Sequence, residues 1–134
     1  MKKLICPALF LFFSFAARSQ TISTAEKLAQ EQLDAYNNRD IEGFLKPYSD
    51  SVRIYYFPNQ FAYQGKEEMR KQYADMFKRA TDLHCTLKSR MVIGNKVIDE
   101  ESVVFDKNRP ALHAAAIYTI VGDKIVSVHF VAEK

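Results

Sequence analysis

Cysteine is scarce in this chain, because its 134 residues include only Cys6 and Cys85. Cys6 falls within a predicted leader, so the exported chain keeps Cys85 alone and cannot form an intrachain disulfide. Cys85 lies on a predicted strand, where a buried and unreactive thiol is the expected state rather than a nucleophile. A lipid-attachment cysteine would follow the apolar run of the leader, whereas Cys6 begins it. The pattern is therefore not that of a lipoprotein.

An excess of charge of one sign is also lacking once the leader is set aside. The whole chain carries 19 basic and 16 acidic residues. Residues 1–19 contain Lys2, Lys3 and Arg18 and no acidic residue, so their removal leaves 16 basic against 16 acidic residues. A neutral domain offers no electrostatic footprint for nucleic acid or for an anionic membrane surface. We expect neither as a partner.

The first residues have the pattern of a secretory signal. A positive start is followed by an apolar run at residues 4–15, which is too short to span a bilayer comfortably. Ala17 and Ser19 place small residues at the −3 and −1 positions of a cleavage site before Gln20. We predict a signal peptide over residues 1–19 and a single exported domain, periplasmic or secreted, over residues 20–134. An uncleaved N-terminal anchor is the alternative.

Several motifs of chemistry are missing. The sequence has no GxSxG and no GxGxxG, so nothing supports serine-nucleophile chemistry or dinucleotide binding. It has no His-x-His or Glu-x-x-His spacing of the kind that holds a metal. We predict neither a cofactor nor a metal site.

What the sequence does contain is a block of four consecutive strands, at residues 83–93, 96–105, 112–121 and 124–131. Gly94-Asn95 and Gly122-Asp123 suit two-residue hairpin turns, because glycine accepts positive φ without steric cost. The block therefore predicts an antiparallel meander. Both faces of the third strand are apolar, so we expect helices on one face of the sheet and a second subunit on the other.

Three helices and one further strand are predicted before this block. Ser23 and Glu26 form a capping box at the start of the first helix, and Asp40 caps a short second helix. Gly65 precedes the third helix. A strand is predicted at residues 51–58, followed by a loop at 59–64 whose aromatic residues Phe61 and Tyr63 are expected to tuck under.

This order of elements resembles the nuclear transport factor 2-like superfamily, in its SnoaL-like and ketosteroid-isomerase-like branch. The matching stretches are residues 33–44 (LDAYNNRDIEGF), 48–52 (YSDSV), 64–69 (QGKEEM) and 122–126 (GDKIV). The resemblance implies an α+β, cystatin-like fold in which a cone-shaped, curved antiparallel sheet wraps around three N-terminal helices. It also implies an apolar pocket at the open end and a homodimer packed sheet to sheet. Such motifs specify the fold better than the chemistry.

The catalytic residues of the isomerase branch do not carry over. The tyrosine of its first helix falls at Gln32, its aspartate base at Tyr56 and its late aspartic acid at about Ala116. None of the three matches. Tyr56 is a poor base near neutral pH, because the pKa of an unperturbed tyrosine is about 10.

The same alignment directs a set of aromatic and apolar side chains toward the pocket. We predict that it binds a small apolar molecule through Tyr56, Tyr73, Met76, Phe77 and Tyr118. A pocket volume below a few hundred cubic ångströms would eliminate a small-molecule ligand. The alternative is a cone packed solid by these side chains, in a structural or partner-binding domain.

The enzymatic alternative is an isomerase, lyase or hydrolase of a polyketide- or steroid-like substrate. His129 or His113 would act as the base and Tyr56 or Tyr118 as the donor. The subunit interface is the competing location for these histidines. The acidic run Asp99-Glu100-Glu101 is interpreted as a solvated strand end; an inward carboxylate would need a partner such as Arg90.

Overall fold

A computed structural model describes residues 22–133. The predicted signal peptide, residues 1–19, lies outside the described residues. The elements, in chain order, are α1 (Thr24–Asn37), α2 (Ile41–Leu45), β1 (Tyr48–Tyr56), β2 (Gln60–Gln64), α3 (Lys66–Arg79), β3 (His84–Ile93), β4 (Lys96–Val104), β5 (Leu112–Val121) and β6 (Lys124–Ala132). None of these helices is long and apolar enough to cross a membrane.

The six strands form one sheet in the order β2-β1-β6-β5-β4-β3. The predicted meander is confirmed, because β3 to β6 pair with one another in antiparallel succession. Gly94 and Gly122 turn the chain with φ angles of 57° and 61°, the conformation for which glycine was expected. Register shifts within β3 and at the β5–β6 pairing bend the strands, and the curved sheet wraps around the helices as predicted.

Two details at the other edge of the sheet differ from the prediction. β1 runs parallel to β6, so the sheet is mixed rather than wholly antiparallel. Residues 60–64 form strand β2, which pairs antiparallel with β1, whereas a loop was predicted there. Phe61 therefore does not tuck under: its side chain is 56% exposed and packs edge-on against Tyr55. Backbone pairing with β1 holds the segment extended and points Phe61 away from the core.

The helices begin where their caps predict. The Ser23 hydroxyl accepts a hydrogen bond from the Glu26 amide, and the Asp40 carboxylate accepts one from Gly43. α1 packs against β3 and β4, while α3 packs against β1 and β2. The Asn37 side chain ties the end of α1 to β3, since it both donates to and accepts from the Cys85 backbone at 2.9 and 2.8 Å. The inner face of the sheet and the helices thus enclose the core.

Candidate functional site

A cavity of about 140 Å³ lies between the helices and the inner face of β3, β4 and β5. Most of its wall is apolar or aromatic, and Phe105, 40% exposed, lies at its edge. The lining side chains are Gln32, Leu33, Tyr36, Phe44, Tyr48, Tyr73, Met76, Cys85, Glu101, Val103, Phe105, Leu112, Ala114, Tyr118 and Phe130.

Four polar side chains form a hydrogen-bonded chain along the wall of this cavity. The Tyr48 hydroxyl donates to Gln32 Oε1 at 3.2 Å, and Gln32 Nε2 donates to the Tyr118 hydroxyl at 3.0 Å. Tyr118 in turn donates to Glu101 Oε1 at 3.3 Å. All four residues are buried, so each bond replaces water that these groups have lost. The chain ends on the carboxyl group of Glu101.

Glu101 is the ionisable group of the cavity wall that titrates near neutral pH. Glu101 is only 7% exposed. Burial raises the pKa of its carboxyl to about 7, and the negative charge of Asp99 adds to the rise. The hydrogen bond from Tyr118 and the charge of Arg90 act in the opposite direction. By contrast, burial raises the pKa of the Cys85 thiol to about 12, which agrees with the unreactive thiol predicted.

Asp99 lies two residues before Glu101 on the same inner face, and an arginine neutralises it. Arg90 Nε and Nη2 each lie 2.7 Å from a carboxylate oxygen of Asp99, a bidentate geometry. Arg90 Nη1 also donates to Gln30 at 2.9 Å. The prediction of a solvated strand end is therefore wrong for Asp99 and Glu101, both of which are buried. The partner proposed for an inward carboxylate, Arg90, is confirmed.

The structure separates the five predicted ligand-binding residues into three groups. Tyr73, Met76 and Tyr118 line the cavity. Phe77 packs behind it, with its ring 5.6 Å from that of Tyr36. Tyr56 is 53% exposed in an adjoining open groove that side chains of α3 also line. That groove shares the side chains of Tyr73 and Met76 with the cavity.

The two histidines predicted as bases lie outside the cavity. They share the outer face of the sheet. His113 and Ile117 lie four residues apart on β5 and so point to the same face, and Ile117 pairs with His129. The ring of His129 stacks on Tyr55 at 4.6 Å. His113 bonds to Glu100 at 2.9 Å and to Glu133 at 3.1 Å, all three on the surface.

The outer face also carries an apolar row that crosses all six strands. Its members are cross-strand neighbours, so their side chains point the same way. They are Met91, Ile98, Ile117, His129, Tyr55 and Phe61. Met91 and Phe61 at its ends are each 56% exposed.

Sequence reasoning missed Gln32, Tyr48 and Glu101 as parts of one site. Gln32 was considered only as a mismatch to an isomerase tyrosine, although its place on the buried stripe of α1 was a usable signal. For Glu101, the signal was the alternation along β4, in which Val97, Asp99, Glu101 and Val103 share one face. The opposite face also carries apolar residues, Ile98 and Val104, so alternation alone left the inner face undecided.

The arrangement supports two kinds of chemistry. An apolar cavity with one carboxyl group can orient a small molecule through a single polar contact. A carboxyl with a pKa near 7 can also exchange a proton at neutral pH. Within residues 22–133, no three His, Cys, Asp or Glu side chains are placed to hold a metal ion.

Fold and cavity together define a cone-shaped α+β protein with an enclosed pocket, the class to which the nuclear transport factor 2-like proteins belong. Residues 29–128 match the family model of the SnoaL-like domain, and the chain belongs to that family. A search of curated proteins finds none that matches.

Solved structures show the same fold at low sequence identity. An uncharacterized cystatin-fold protein from Novosphingobium aromaticivorans is 24% identical over 82% of this chain and 98% of its own, with a TM-score of 0.72. A SnoaL-like protein of unknown function from Burkholderia thailandensis is 17% identical over 85% and 98%, also with a TM-score of 0.72. A provisional ketosteroid isomerase from Kribbella flavida is 14% identical over 83% and 78%, again with a TM-score of 0.72. These likenesses concern the fold alone.

Proposed function

We propose that the chain is an exported binding domain whose cavity holds one small, largely apolar molecule with a single polar group against Glu101. The observation that carries the proposal is the cavity itself, which has mostly apolar walls and a single carboxyl group. Sites for small molecules combine such walls with a few convergent polar groups. A space left open among so many aromatic side chains favours binding over a solidly packed, purely structural cone.

The size of the cavity restricts the ligand. At about 140 Å³, it lies below the limit of a few hundred cubic ångströms stated from the sequence, so a steroid- or polyketide-like ligand does not fit. For a ligand of one ring, that limit was too high. An engineered apolar cavity of about 150 Å³ binds benzene. The ligand that fits is therefore of about the size of one ring.

Filling the cavity should abolish binding. Ala114 lies on its wall and is paired across the strands with Glu101, so Ala114→Leu places new bulk beside the carboxyl. We expect at least one of toluene, benzyl alcohol and benzylamine to raise the melting temperature of the wild-type protein. A ligand at about 100 times its Kd adds about 2.7 kcal/mol of stability. The shift should be absent in Ala114→Leu, as measured by differential scanning calorimetry.

Ala115→Leu is the matched control. Ala115 is the next residue of the strand and faces outward, so this substitution adds the same bulk away from the cavity. It should keep the shift. The proposal fails if none of the three probes stabilises the wild-type protein, or if Ala114→Leu responds as the wild type does.

The catalytic alternative stays a prediction. A base at His129 or His113 working with Tyr118 is not favoured by the geometry, because both histidines lie on the opposite face of the sheet from Tyr118. Tyr56 lies in the adjoining groove rather than on the cavity wall. On that wall, Glu101 is the group suited to proton transfer near neutral pH.

We also propose export and a homodimer packed through the outer face. The leader pattern supports export. The apolar row from Met91 to Phe61 supports the dimer, and it contrasts with the polar row beside it, which contains Lys96, Thr119, Ser127 and Arg53. Expressed in an exporting bacterium, the protein should have twice the mass of a chain beginning at Gln20 by native mass spectrometry. Ile117→Lys, in the centre of the row, should give the monomer mass. A retained leader would contradict cleavage, and a monomeric wild type would contradict the dimer.

A further inference from the structure

We propose that the cavity selects a small organic amine, which binds as its cation with the ammonium group on Glu101 and its apolar part against the aromatic wall. This inference rests on the proposed binding function and specifies the chemical class of the ligand. It follows from the charge balance of the cavity, from the character of its wall and from its volume.

The inner face of the sheet holds one carboxyl group more than it can neutralise. Arg90 is fully engaged, with two nitrogens on Asp99 and the third on Gln30. The cavity lining contains no lysine, arginine or histidine. Glu101 receives a long hydrogen bond, 3.3 Å from the neutral hydroxyl of Tyr118, and its other side-chain donor is the neutral thiol of Cys85. A buried carboxylate without a cation is costly, so a positively charged group is the partner that the site lacks.

The wall around Glu101 suits a cation as well. Tyr36, Phe44, Tyr73, Phe105 and Phe130 place aromatic rings on the cavity. The face of an aromatic ring attracts a cation within about 6 Å of its centre, and more strongly where water is excluded. An alcohol would gain a hydrogen bond but no charge compensation. A carboxylic acid would add a further negative charge beside the carboxyl group of Glu101.

The cavity volume limits the amine to one ring or a short alkyl chain. About 140 Å³ accommodates a molecule of about the size of benzene. Benzylamine, benzyl alcohol and benzoate have nearly the same shape and differ in charge. They form a matched series of probes.

The groups that face Glu101 fix how binding should depend on pH. Asp99 lies on the same strand, and Cys85 and Arg90 lie on β3. Four tyrosines face it from α1, β1, α3 and β5, namely Tyr36, Tyr48, Tyr73 and Tyr118. Burial raises the pKa of each tyrosine and of Cys85, and Arg90 stays charged through its bonds to Asp99. Changes between pH 5.5 and 8 therefore report on Glu101.

The test is isothermal titration of the purified protein with the three probes at pH 5.5 and pH 8. With a pKa of about 7, Glu101 is ionised in about 3% of molecules at the lower pH and about 90% at the higher one, so benzylamine should bind about 30-fold more tightly at pH 8. Benzylamine stays protonated over this range. At pH 8, its affinity should exceed those of benzyl alcohol and benzoate.

Glu101→Gln should remove both the preference for the amine and its pH dependence. Glu100→Gln, one residue away on the outer face, should keep both. The inference is overturned if benzyl alcohol or benzoate binds the wild type as tightly as benzylamine at pH 8, or if the affinity for benzylamine is flat with pH. In those cases the proposed binding function survives. If none of the probes binds, toluene included, the proposed binding function fails together with this inference.

Discussion

Replacing Arg90 with methionine is expected to lower the free energy of unfolding by about 3–5 kcal/mol, the usual effect of removing one partner from a buried ion pair. The Arg90 side chain is 9% exposed and that of Asp99 is fully buried, so solvent cannot replace the lost bonds. The substitution leaves the Asp99 carboxylate without its bidentate donor and beside Glu101. Urea denaturation at pH 7, with the slope compared between variants, measures the change.

Two variants separate the lost ion pair from the lost side chain. The double variant Arg90→Met with Asp99→Leu should recover most of the stability, because a well-packed apolar pair can replace a buried ion pair with little loss. Arg53→Met, an exposed arginine on the outer face, should stay within about 0.5 kcal/mol of the wild type. A loss below about 1 kcal/mol in Arg90→Met would mean that the pair contributes no more than a surface one.

Much of the fold could be predicted because its signals are local. Ser23 and Asp40 cap their helices through bonds to amides three residues further on, which a reader of the sequence can identify from residue type and spacing alone. Gly94 and Gly122 each supply a positive φ between two apolar runs. Each of these features depends on a few neighbouring residues, so the four-stranded meander and the helix starts were predictable.

The other edge of the sheet was not predictable in the same way. The parallel pairing of β1 with β6 joins Ile54 to Val128, which lie far apart in the chain, and no local pattern encodes such a pairing. Strand β2 is only five residues long and directly follows Pro58 and Asn59, which are typical of turns. Its pairing with β1, rather than its own composition, makes it a strand.

The site was missed for a related reason. Alternation along β4 shows that Glu100 faces away from Asp99 and Glu101, but it does not by itself show which of the two faces is the inner one. The tertiary contacts decide it: Arg90 reaches Asp99 from β3, and Tyr118 reaches Glu101 from β5. Gln32 joins the same chain of hydrogen bonds from a helix 86 residues away from Tyr118. Residue type singled out the histidines, whereas burial raises the pKa of Glu101 on the cavity wall to about 7.

Glu101→Gln is expected to stabilise the protein by about 3 kcal/mol at pH 8 and to have little effect near pH 4. The pKa of Glu101 rises from 4.5 to about 7 on folding, and each pKa unit corresponds to about 1.4 kcal/mol. Below about pH 4.5, the carboxyl is protonated in both states and contributes nothing. Between about pH 4.5 and 7, the unfolded chain ionises while the folded chain stays neutral, so the wild type loses stability relative to the variant. Above about pH 7, the difference is constant.

Urea denaturation of both proteins at intervals from about pH 4 to pH 8 measures this difference directly. Glutamine keeps an oxygen that can accept the Tyr118 hydrogen bond, so the comparison isolates the charge. Glu100→Gln is the control: hydrogen bonds to His113 and Ser89 hold the pKa of Glu100 below its usual range, so this variant should not gain stability as the pH rises. A difference between Glu101→Gln and the wild type that stays flat with pH would place the ionisation of Glu101 outside this range.

If the difference grows as expected, the empty cavity carries a charge that destabilises the fold at neutral pH. A cationic ligand would then relieve that charge and recover stability, which couples the folding of this domain to the binding that we propose.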